Sequence, residues 1–206
     1  MKENLKLGGI LLGITLTAGV LLGVTNELTK EAILENSKIN KEDLAVIMPK
    51  ATAIEDTDIK LSEEGPIKEA YKAKSGENEI GYVFKVTTKG FHGPVDLFVA
   101  VSSEDKVTGM KVSSHSETPG LGARIEEESF RSKFTDLPIN ELVEIVKTTP
   151  SKENEVDGIS GATVSSKAIG TAINDTINFY KENIKGEEVE NIPEQDATTG
   201  ASEGSW

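Results

Sequence analysis

The first feature of the hydrophobic pattern is an uncharged, apolar run of 19 residues from Leu7 to Thr25. As a helix that rises about 1.5 Å per residue it would be roughly 28 Å long, close to the ~30 Å hydrocarbon core of a bilayer. Lys2 and Lys6 precede the run, and acidic residues follow it. This predicts a single transmembrane helix at 7–25 in the cell membrane, with residues 1–6 in the cytoplasm and the rest outside. A cleaved signal peptide is the alternative, but its apolar region is usually only about 7–15 residues long.

The region after this run predicts a juxtamembrane helix and linker at 26–65, followed by strands. A loose apolar stripe extends from Glu27 to Met48, and Pro49 ends the helical pattern. The stretch 50–65 is polar and predicts irregular structure. Beyond it, the apolar and β-branched pattern predicts strands at 80–88, 95–101, 106–113 and 141–147, with a short helix at 124–134.

The most periodic segment runs from Thr163 to Ile184 and predicts an amphipathic helix. Its apolar face consists of Val164, Ala168, Ile169, Ala172, Ile173, Ile177, Tyr180 and Ile184, and Gly186 fits the C-terminal stop. These elements predict an α+β domain at 66–185, with a mostly antiparallel sheet and helices, tethered by the one transmembrane helix. The last segment, 186–206, has six acidic residues and no Lys or Arg. It therefore predicts an acidic, disordered tail.

Charge and composition exclude several classes of function. A net charge of -13 over 206 residues argues against a nucleic-acid partner, because phosphate binding needs a basic face. The chain has no cysteine, which excludes iron–sulfur clusters, thiolate zinc sites and c-type haem attachment. Only two histidines occur, His92 and His115, so no metal site is expected, and His115 is expected to be a surface or hydrogen-bonding residue beside a loop. A redox function would need an organic cofactor or a poorly equipped metal site.

The segment Asp157-Gly158-Ile159-Ser160-Gly161-Ala162-Thr163 lies just before the amphipathic helix. Its small residues allow a ligand to approach the backbone, and a helix N-terminus offers unpaired N–H groups and a positive dipole end that suit a phosphate. The alternative is ordinary capping by Ser160 or Thr163, with Asp157 favouring the dipole, and the residues alone favour that alternative. The segment fits neither the Gly-x-Ser-x-Gly elbow of hydrolases nor a phosphate-binding P-loop.

A second segment of this kind lies about 40 residues earlier, Ser114-His115-Ser116-Glu117-Thr118-Pro119-Gly120-Leu121-Gly122. Proline and glycine predict a tight loop with exposed backbone amides, which can lie against a flat ring system. The alternative is an ordinary connection between a strand and the helix that starts near Arg124.

The two segments resemble motifs of a flavoprotein family. Asp157-x-x-Ser160-Gly161-Ala162-Thr163 is similar to the acceptor motif of flavin transferases, and the Glu117–Gly122 loop is similar to a Glu-Thr-Pro-Gly-Leu-Gly motif. From 7 to 184 the chain resembles the G subunit of the Rnf ion-translocating ferredoxin:NAD oxidoreductase, and it is similarly related to the C subunit of the sodium-pumping NADH:quinone oxidoreductase. The resemblance implies that a flavin transferase joins Thr163 to the phosphate of FMN through a phosphoester.

The choice of Thr163 rests on this resemblance. Ser160, Ser165 and Ser166 also carry hydroxyls nearby, and the chemistry of the residues does not choose among the four. Arg124 and Lys167 either offset the charge of the phosphate or lie on solvated faces. The cofactor-binding residues that the resemblance implies are Thr163, Ser160, Gly161, Ala162, Glu117, Thr118, Gly120, Leu121 and Gly122.

The resemblance also implies a function. The chain would be a membrane-anchored electron relay, without catalytic residues of its own, that works with other membrane subunits of an ion-translocating complex. Two alternatives remain open. One is a stand-alone extracytoplasmic FMN carrier, and the other is a tethered binding module without a redox role, in which the Ser160–Thr163 segment only caps a helix.

Overall fold

The N-terminal apolar run lies in one long helix, α1 (Lys2–Asn36), in a computed structural model that describes residues 2–36, 39–62 and 64–189. The part from Lys6 to Thr29 has a mean hydropathy of 2.1 and buries none of its residues, as a lipid-facing helix requires. The hydroxyls of Thr15, Thr17 and Thr25 donate to backbone carbonyls four residues earlier, so they leave no unpaired polar group on the apolar surface.

The juxtamembrane region differs from the single helix predicted at Glu27–Met48. α1 ends at Asn36, and a separate short helix, α2 (Lys41–Ile47), begins after Asn40. The Asn40 side chain accepts a hydrogen bond of 2.7 Å from the backbone N–H of Asp43, which is a standard N-cap. A capping residue inside a helical hydrophobic pattern therefore starts a new helix here. The chain divides into two compact units, Met1–Ile39 and Asn40–Trp206.

The second unit is built on one six-stranded sheet. Its strands are β1 (Ala53–Asp56), β2 (Ile67–Ser75), β3 (Asn78–Lys89), β4 (Pro94–Ser102), β5 (Lys106–Ser114) and β6 (Leu137–Pro138). They follow each other in the order of the sequence, and every neighbouring pair is antiparallel. The fold is α+β with a mostly antiparallel sheet, as the sequence predicts. The strand β1 lies within 50–65, where irregular structure was predicted.

The principal core lies between one face of the sheet and the helix α4 (Thr163–Tyr180). The predicted apolar face of α4 is largely buried, and Ile169, Ile173 and Ile177 have no solvent exposure. A π-helical turn, Lys181–Lys185, continues α4, and Gly186 (φ 69°) ends it in the left-handed conformation. Of the predicted acidic tail, residues 190–206 lie outside the described part of the chain.

The opposite face of the sheet is covered by α2. Residues alternate between faces along a strand, so Phe98 and Ala100 on β4 face away from α4. The last turn of α2 approaches β5 closely: a Cβ on Gly109 would lie 3.0 Å from the Cα of Ile47. The hydroxyl of Thr108 donates to the carbonyl of Ile47 at 2.6 Å. Glycine at 109 is therefore needed for the backbones to meet.

The segment between β5 and α4 is divided into short elements, several of which contribute residues to the principal core. The predicted helix at 124–134 is divided into a 3₁₀ turn (Gly122–Glu126), the helix α3 (Glu128–Arg131) and a second 3₁₀ turn (Ser132–Phe134). Two short parallel strands, β7 (Glu144–Val146) and β8 (Glu155–Asp157), lead to the start of α4. Gly170 lets α4 lie against β7, because a Cβ there would be 2.8 Å from Cγ1 of Ile145.

Candidate functional site

The two small-residue segments meet at one cavity of about 280 Å³. This is near the lower end of ordinary ligand sites, which occupy about 300–1,000 Å³. The cavity is lined by Phe91, Glu117, Thr118, Leu121, Gly122, Gly161, Ala162, Thr163, Val164 and Ser165. Seven of the residues expected at the cofactor site are in this set, while Ser160 and Gly120 are exposed and outside it.

The first turn of α4 forms one wall of the cavity. Ala162 is the N-cap residue and has no side chain that could cap the helix. Amides at the start of a helix have no intrahelical partner, and among the described residues no side chain accepts from those of α4. The capping expected of Ser160 or Thr163 is therefore absent. This end of α4 offers free N–H groups and the positive end of the helix dipole to an anion.

The four candidate hydroxyls are in four different environments. The Ser165 hydroxyl is buried and donates to Oε2 of Glu117 at 2.6 Å. The Ser166 hydroxyl is buried, donates to the carbonyl of Ala162 and accepts from the N–H of Ile159. Ser160 is exposed outside the cavity. Within the described part of the chain, Thr163 alone combines a place on the cavity wall with a partly exposed hydroxyl that has no hydrogen-bond partner.

Glu117 is the one ionisable group among the described residues that lines the cavity. Its side chain is only 5% exposed, and it accepts hydrogen bonds from the backbone amides of Phe91 (2.7 Å) and His92 (3.1 Å) and from Ser165. Burial acts to raise the pKa of Glu117, but these hydrogen bonds outweigh it and lower the pKa below its ordinary value. The carboxylate is therefore ionised at neutral pH.

The loop 115–122 is shaped by local hydrogen bonds. The carbonyl of Thr118 accepts from the N–H groups of Leu121 and Ala123, both at 3.1 Å. Gly120, which lies between Thr118 and Leu121 in this turn, has φ 77°. A non-glycine residue is strained in that conformation. The resulting turn brings the exposed side chain of Leu121 to the rim of the cavity, where its Cδ2 would lie 3.6 Å from a Cβ on Gly161.

Both histidines support this loop. Nδ1 of His115 accepts from the N–H of Glu117 at 3.0 Å, and Nε2 lies 3.0 Å from Oε1 of Glu126. Nδ1 of His92 lies 3.3 Å from the hydroxyl of Thr118. Of the two roles expected for His115, a surface or a hydrogen-bonding residue, the geometry gives the second. Among the described residues no group of acidic residues and histidines is arranged to hold a metal.

The cationic groups considered for a phosphate lie elsewhere. Neither Arg124 nor Lys167 lines the cavity, and Arg124 pairs with Glu127 at 3.4 Å. Asp157, expected to favour the helix dipole, accepts instead from Lys133 at 2.7 Å. Any phosphate held here would therefore be stabilised by backbone amides, because among the described residues no Lys or Arg lines the cavity.

One residue that lines the cavity, Phe91, was not predicted from the sequence. Phe91 lies in the turn between β3 and β4 and exposes 66% of its surface. It contributes an apolar aromatic ring to the cavity lining, and its backbone amide donates to Glu117 of loop 115–122. The available signal was an aromatic residue in the Gly90–Gly93 turn. An exposed apolar side chain at a cavity mouth suits a flat, apolar ligand.

Comparison with known proteins finds similarity to an FMN-binding domain and to subunits of ion-translocating oxidoreductases. Residues 90–178 match the family model described as an FMN-binding domain. The G subunit of the ion-translocating oxidoreductase complex of Methanosarcina acetivorans is 34% identical over 183 residues, covering 86% of this chain and 95% of that protein. The G subunit of the Na⁺-translocating ferredoxin:NAD⁺ oxidoreductase complex of Acetobacterium woodii is 33% identical over 193 residues, covering 87% and 93%. A crystal structure of the C subunit of the Na⁺-translocating NADH-quinone reductase from Parabacteroides distasonis has a TM-score of 0.48 and 28% identity, covering 54% of this chain and 60% of that one.

Proposed function

This chain belongs to the family of Rnf-type G subunits of ion-translocating oxidoreductases, and from that premise we propose that it relays electrons through an FMN joined to Thr163. It is an FMN-binding, membrane-anchored subunit that works within a multi-subunit ferredoxin:NAD oxidoreductase complex. The bond is a phosphoester between the Thr163 hydroxyl and the phosphate of FMN, formed by a flavin transferase.

The observation that carries the proposal is the state of the Thr163 hydroxyl. It lines the cavity without a hydrogen-bond partner among the described residues, whereas the hydroxyls of Ser165 and Ser166 are buried and bonded. A phosphate attached at Thr163 would lie at the N-terminus of α4, where free amides and the helix dipole stabilise negative charge. The resemblance to the acceptor motif and the geometry therefore favour the same residue.

The remaining cavity residues fit the rest of the cofactor. FMN exchanges one or two electrons through its ring, and the protein supplies binding, orientation and electrostatics. Phe91 and Leu121 contribute exposed apolar side chains to the cavity, which would exclude water from a flat ring. Gly161 adds no side chain to the cavity wall just before α4, which leaves room for a ligand to approach closely.

The anchor supports a place for this domain outside the cytoplasm. α1 carries one apolar span, Lys6–Thr29, and basic residues precede it while acidic residues follow it. The positive-inside rule then places the N-terminus in the cytoplasm and the flavin domain on the other side. Covalent attachment has an advantage there, because lost FMN would not readily be replaced.

The proposal is tested by changing each candidate hydroxyl in the full-length protein co-produced with a flavin transferase. Denaturing gels report covalent flavin by its fluorescence. Thr163→Ala should give a folded protein without a fluorescent band, and the free energy of unfolding should change by less than about 0.5 kcal/mol because no hydrogen bond is lost.

Ser160→Ala is the matched control, because it removes an exposed hydroxyl from the same motif. It should retain a fluorescent band, although weaker recognition by the transferase would lower the yield. A fluorescent Thr163→Ala band would refute the assignment. So would a flavin-bearing peptide that maps to Ser165 or Ser166.

A further inference from the structure

The Glu117 side chain joins three separate segments of the cavity wall. Oε1 accepts from the amides of Phe91 and His92 in the β3–β4 turn, at 2.7 and 3.1 Å, and Oε2 accepts from the Ser165 hydroxyl in the first turn of α4, at 2.6 Å. The residue itself belongs to the loop between β5 and the first 3₁₀ turn. One buried carboxylate thus holds together parts of the chain that are 26 and 48 positions from it.

The fold leaves space for this carboxylate on both sides. A Cβ on Gly90 would lie 2.4 Å from Oε1, and a Cβ on Gly122 would lie 2.4 Å from Oε2. Both distances are far below a van der Waals contact, so any larger residue at either position would displace the carboxylate. The backbone N–H of Glu117 is itself held by Nδ1 of His115. The carboxylate therefore occupies one fixed position.

The charge at this position has no Lys or Arg partner in the described part of the chain, and the imidazole of His92, when protonated, is the positive group that acts on it. No Lys or Arg there lines the cavity or pairs with Glu117, and its three donors are neutral groups. Neutral donors stabilise an ionised carboxylate but leave its net charge in place. At a buried position, such a charge acts on its neighbours more strongly than it would in bulk water.

We infer that the fixed negative charge of Glu117 lowers the reduction potential of the flavin bound in this cavity. The inference rests on the proposed function, because it requires FMN at Thr163. Reduction delivers an electron to the flavin from the preceding carrier, or from dithionite in a titration. The carboxylate on the cavity wall repels the negative charge that reduction adds, so reduction becomes less favourable. Glu117 itself neither gains nor loses an electron or a proton in this step.

The test is an equilibrium redox titration of the full-length, flavin-loaded protein in detergent, followed by its visible spectrum. Glu117→Gln keeps the size of the side chain and its acceptor oxygen but removes the charge. The midpoint potential should move to a more positive value, while covalent flavin on denaturing gels stays at the wild-type level. Glu128→Gln, which removes an exposed acidic charge from α3 outside the cavity, is the matched control and should leave the potential unchanged.

An unchanged potential in a loaded Glu117→Gln protein would overturn the inference and leave the attachment site intact. If the wild-type protein carried no flavin at Thr163, that result would contradict the proposed function itself rather than the role of Glu117.

Should Glu117→Gln fail to fold or load, Ser165→Ala provides a second test. Without this donor the pKa of Glu117 rises, so lowering the pH should raise the potential more steeply than in wild type. Identical pH dependence in Ser165→Ala and wild type would count against the inference.

Discussion

Gly120 and Gly122 stand two positions apart in one loop, yet each is glycine for a different physical reason. Gly120 has φ 77° with open space around it, so only its backbone conformation disfavours a side chain. Gly122 is buried, and a Cβ there would lie 2.4 Å from Oε2 of Glu117 and 2.7 Å from Oγ of Ser165. The first glycine shapes the loop, and the second leaves room for the carboxylate.

This difference predicts different outcomes for alanine at the two positions. Gly120→Ala should cost about 1–2 kcal/mol of unfolding free energy through strain and keep the flavin spectrum unchanged. Gly122→Ala should cost about 1–3 kcal/mol through overpacking and also displace Glu117, which alters the flavin absorbance. Denaturant unfolding and visible spectra of both proteins measure this. Identical spectra for Gly122→Ala and wild type would show that the position of the Glu117 carboxylate does not affect the flavin.

Asp175, on α4, predicts a pH-dependent effect on stability. Burial raises its pKa to about 6 in the folded protein, above the ordinary value of 3.8. A raised acid pKa means that the folded state binds more protons, so stability falls as pH rises from about 4 to about 6 and stays lower above that. Asp175→Asn should then stabilise the protein at pH 7 by about 1 kcal/mol, since solvent screening at this partly exposed side chain reduces the roughly 3 kcal/mol of a two-unit shift.

Urea unfolding at pH 7 and pH 4 checks this prediction, with exposed Glu182→Gln in the continuation of the same helix as the control. The gain from Asp175→Asn should disappear near pH 4. An equal gain at both pH values would contradict the pKa as its cause.

The residues that carry chemistry were visible in the sequence only where they form motifs. Thr163 and the Glu117–Gly122 loop were identified because their segments resemble two motifs of a known family, whereas the residues alone favoured ordinary helix capping and an ordinary loop. Phe91 was missed because a single aromatic in a turn has no pattern of its own. The bond between Ser165 and Glu117 was equally out of reach, since its partners are 48 positions apart and meet only through the fold.

At the scale of elements, the side chain of Asn174 joins α4 to the segment that precedes β7. Asn174 is 2% exposed, and its amide accepts from the N–H of Val143 at 2.7 Å and donates to the carbonyl of Val143 at 2.9 Å. It therefore acts as a strand neighbour would, satisfying both backbone groups of a buried residue. This holds the chain that leads to the Thr163 turn.

Replacement of Asn174 by alanine should cost about 2–3 kcal/mol, because two hydrogen bonds are lost and two buried backbone groups remain unpaired. Asn183→Ala is the matched control: it loses one exposed hydrogen bond to the carbonyl of Phe179 and should change stability by less than about 0.5 kcal/mol. Thermal or urea unfolding compares the two. Similar small losses in both proteins would show that Asn174 does not fix this junction.

Elements with regular patterns were predicted, and interrupted ones were not. β3, β4, β5 and α4 agree with the sequence-based expectation because their apolar residues follow an unbroken period. β2 was missed because its pairing with β3 shifts register at Ile67/Glu69 and again at Ala73/Lys74. Its buried positions therefore fall every third residue, which hides the period of two. β6 has only two residues and β8 only three, too few to form a pattern.

The whole molecule combines a membrane helix with a domain that binds a soluble cofactor, so its orientation decides where the flavin operates. Externally added protease should digest a C-terminal tag in intact, wall-stripped cells, because the positive-inside rule predicts that the residues after α1 lie outside. A cytoplasmic marker protein must stay intact in the same sample. Digestion of the tag only after lysis would reverse the orientation.

The attachment of FMN to Thr163 is tested most directly by mass spectrometry of the protein purified from its native membrane. The intact protein should be heavier than its sequence by one FMN less one water, and fragmentation of the proteolytic peptide that contains the Ser160–Thr163 segment should place that mass on Thr163. An intact mass without the addition, or a flavin on any other residue, would contradict the assignment.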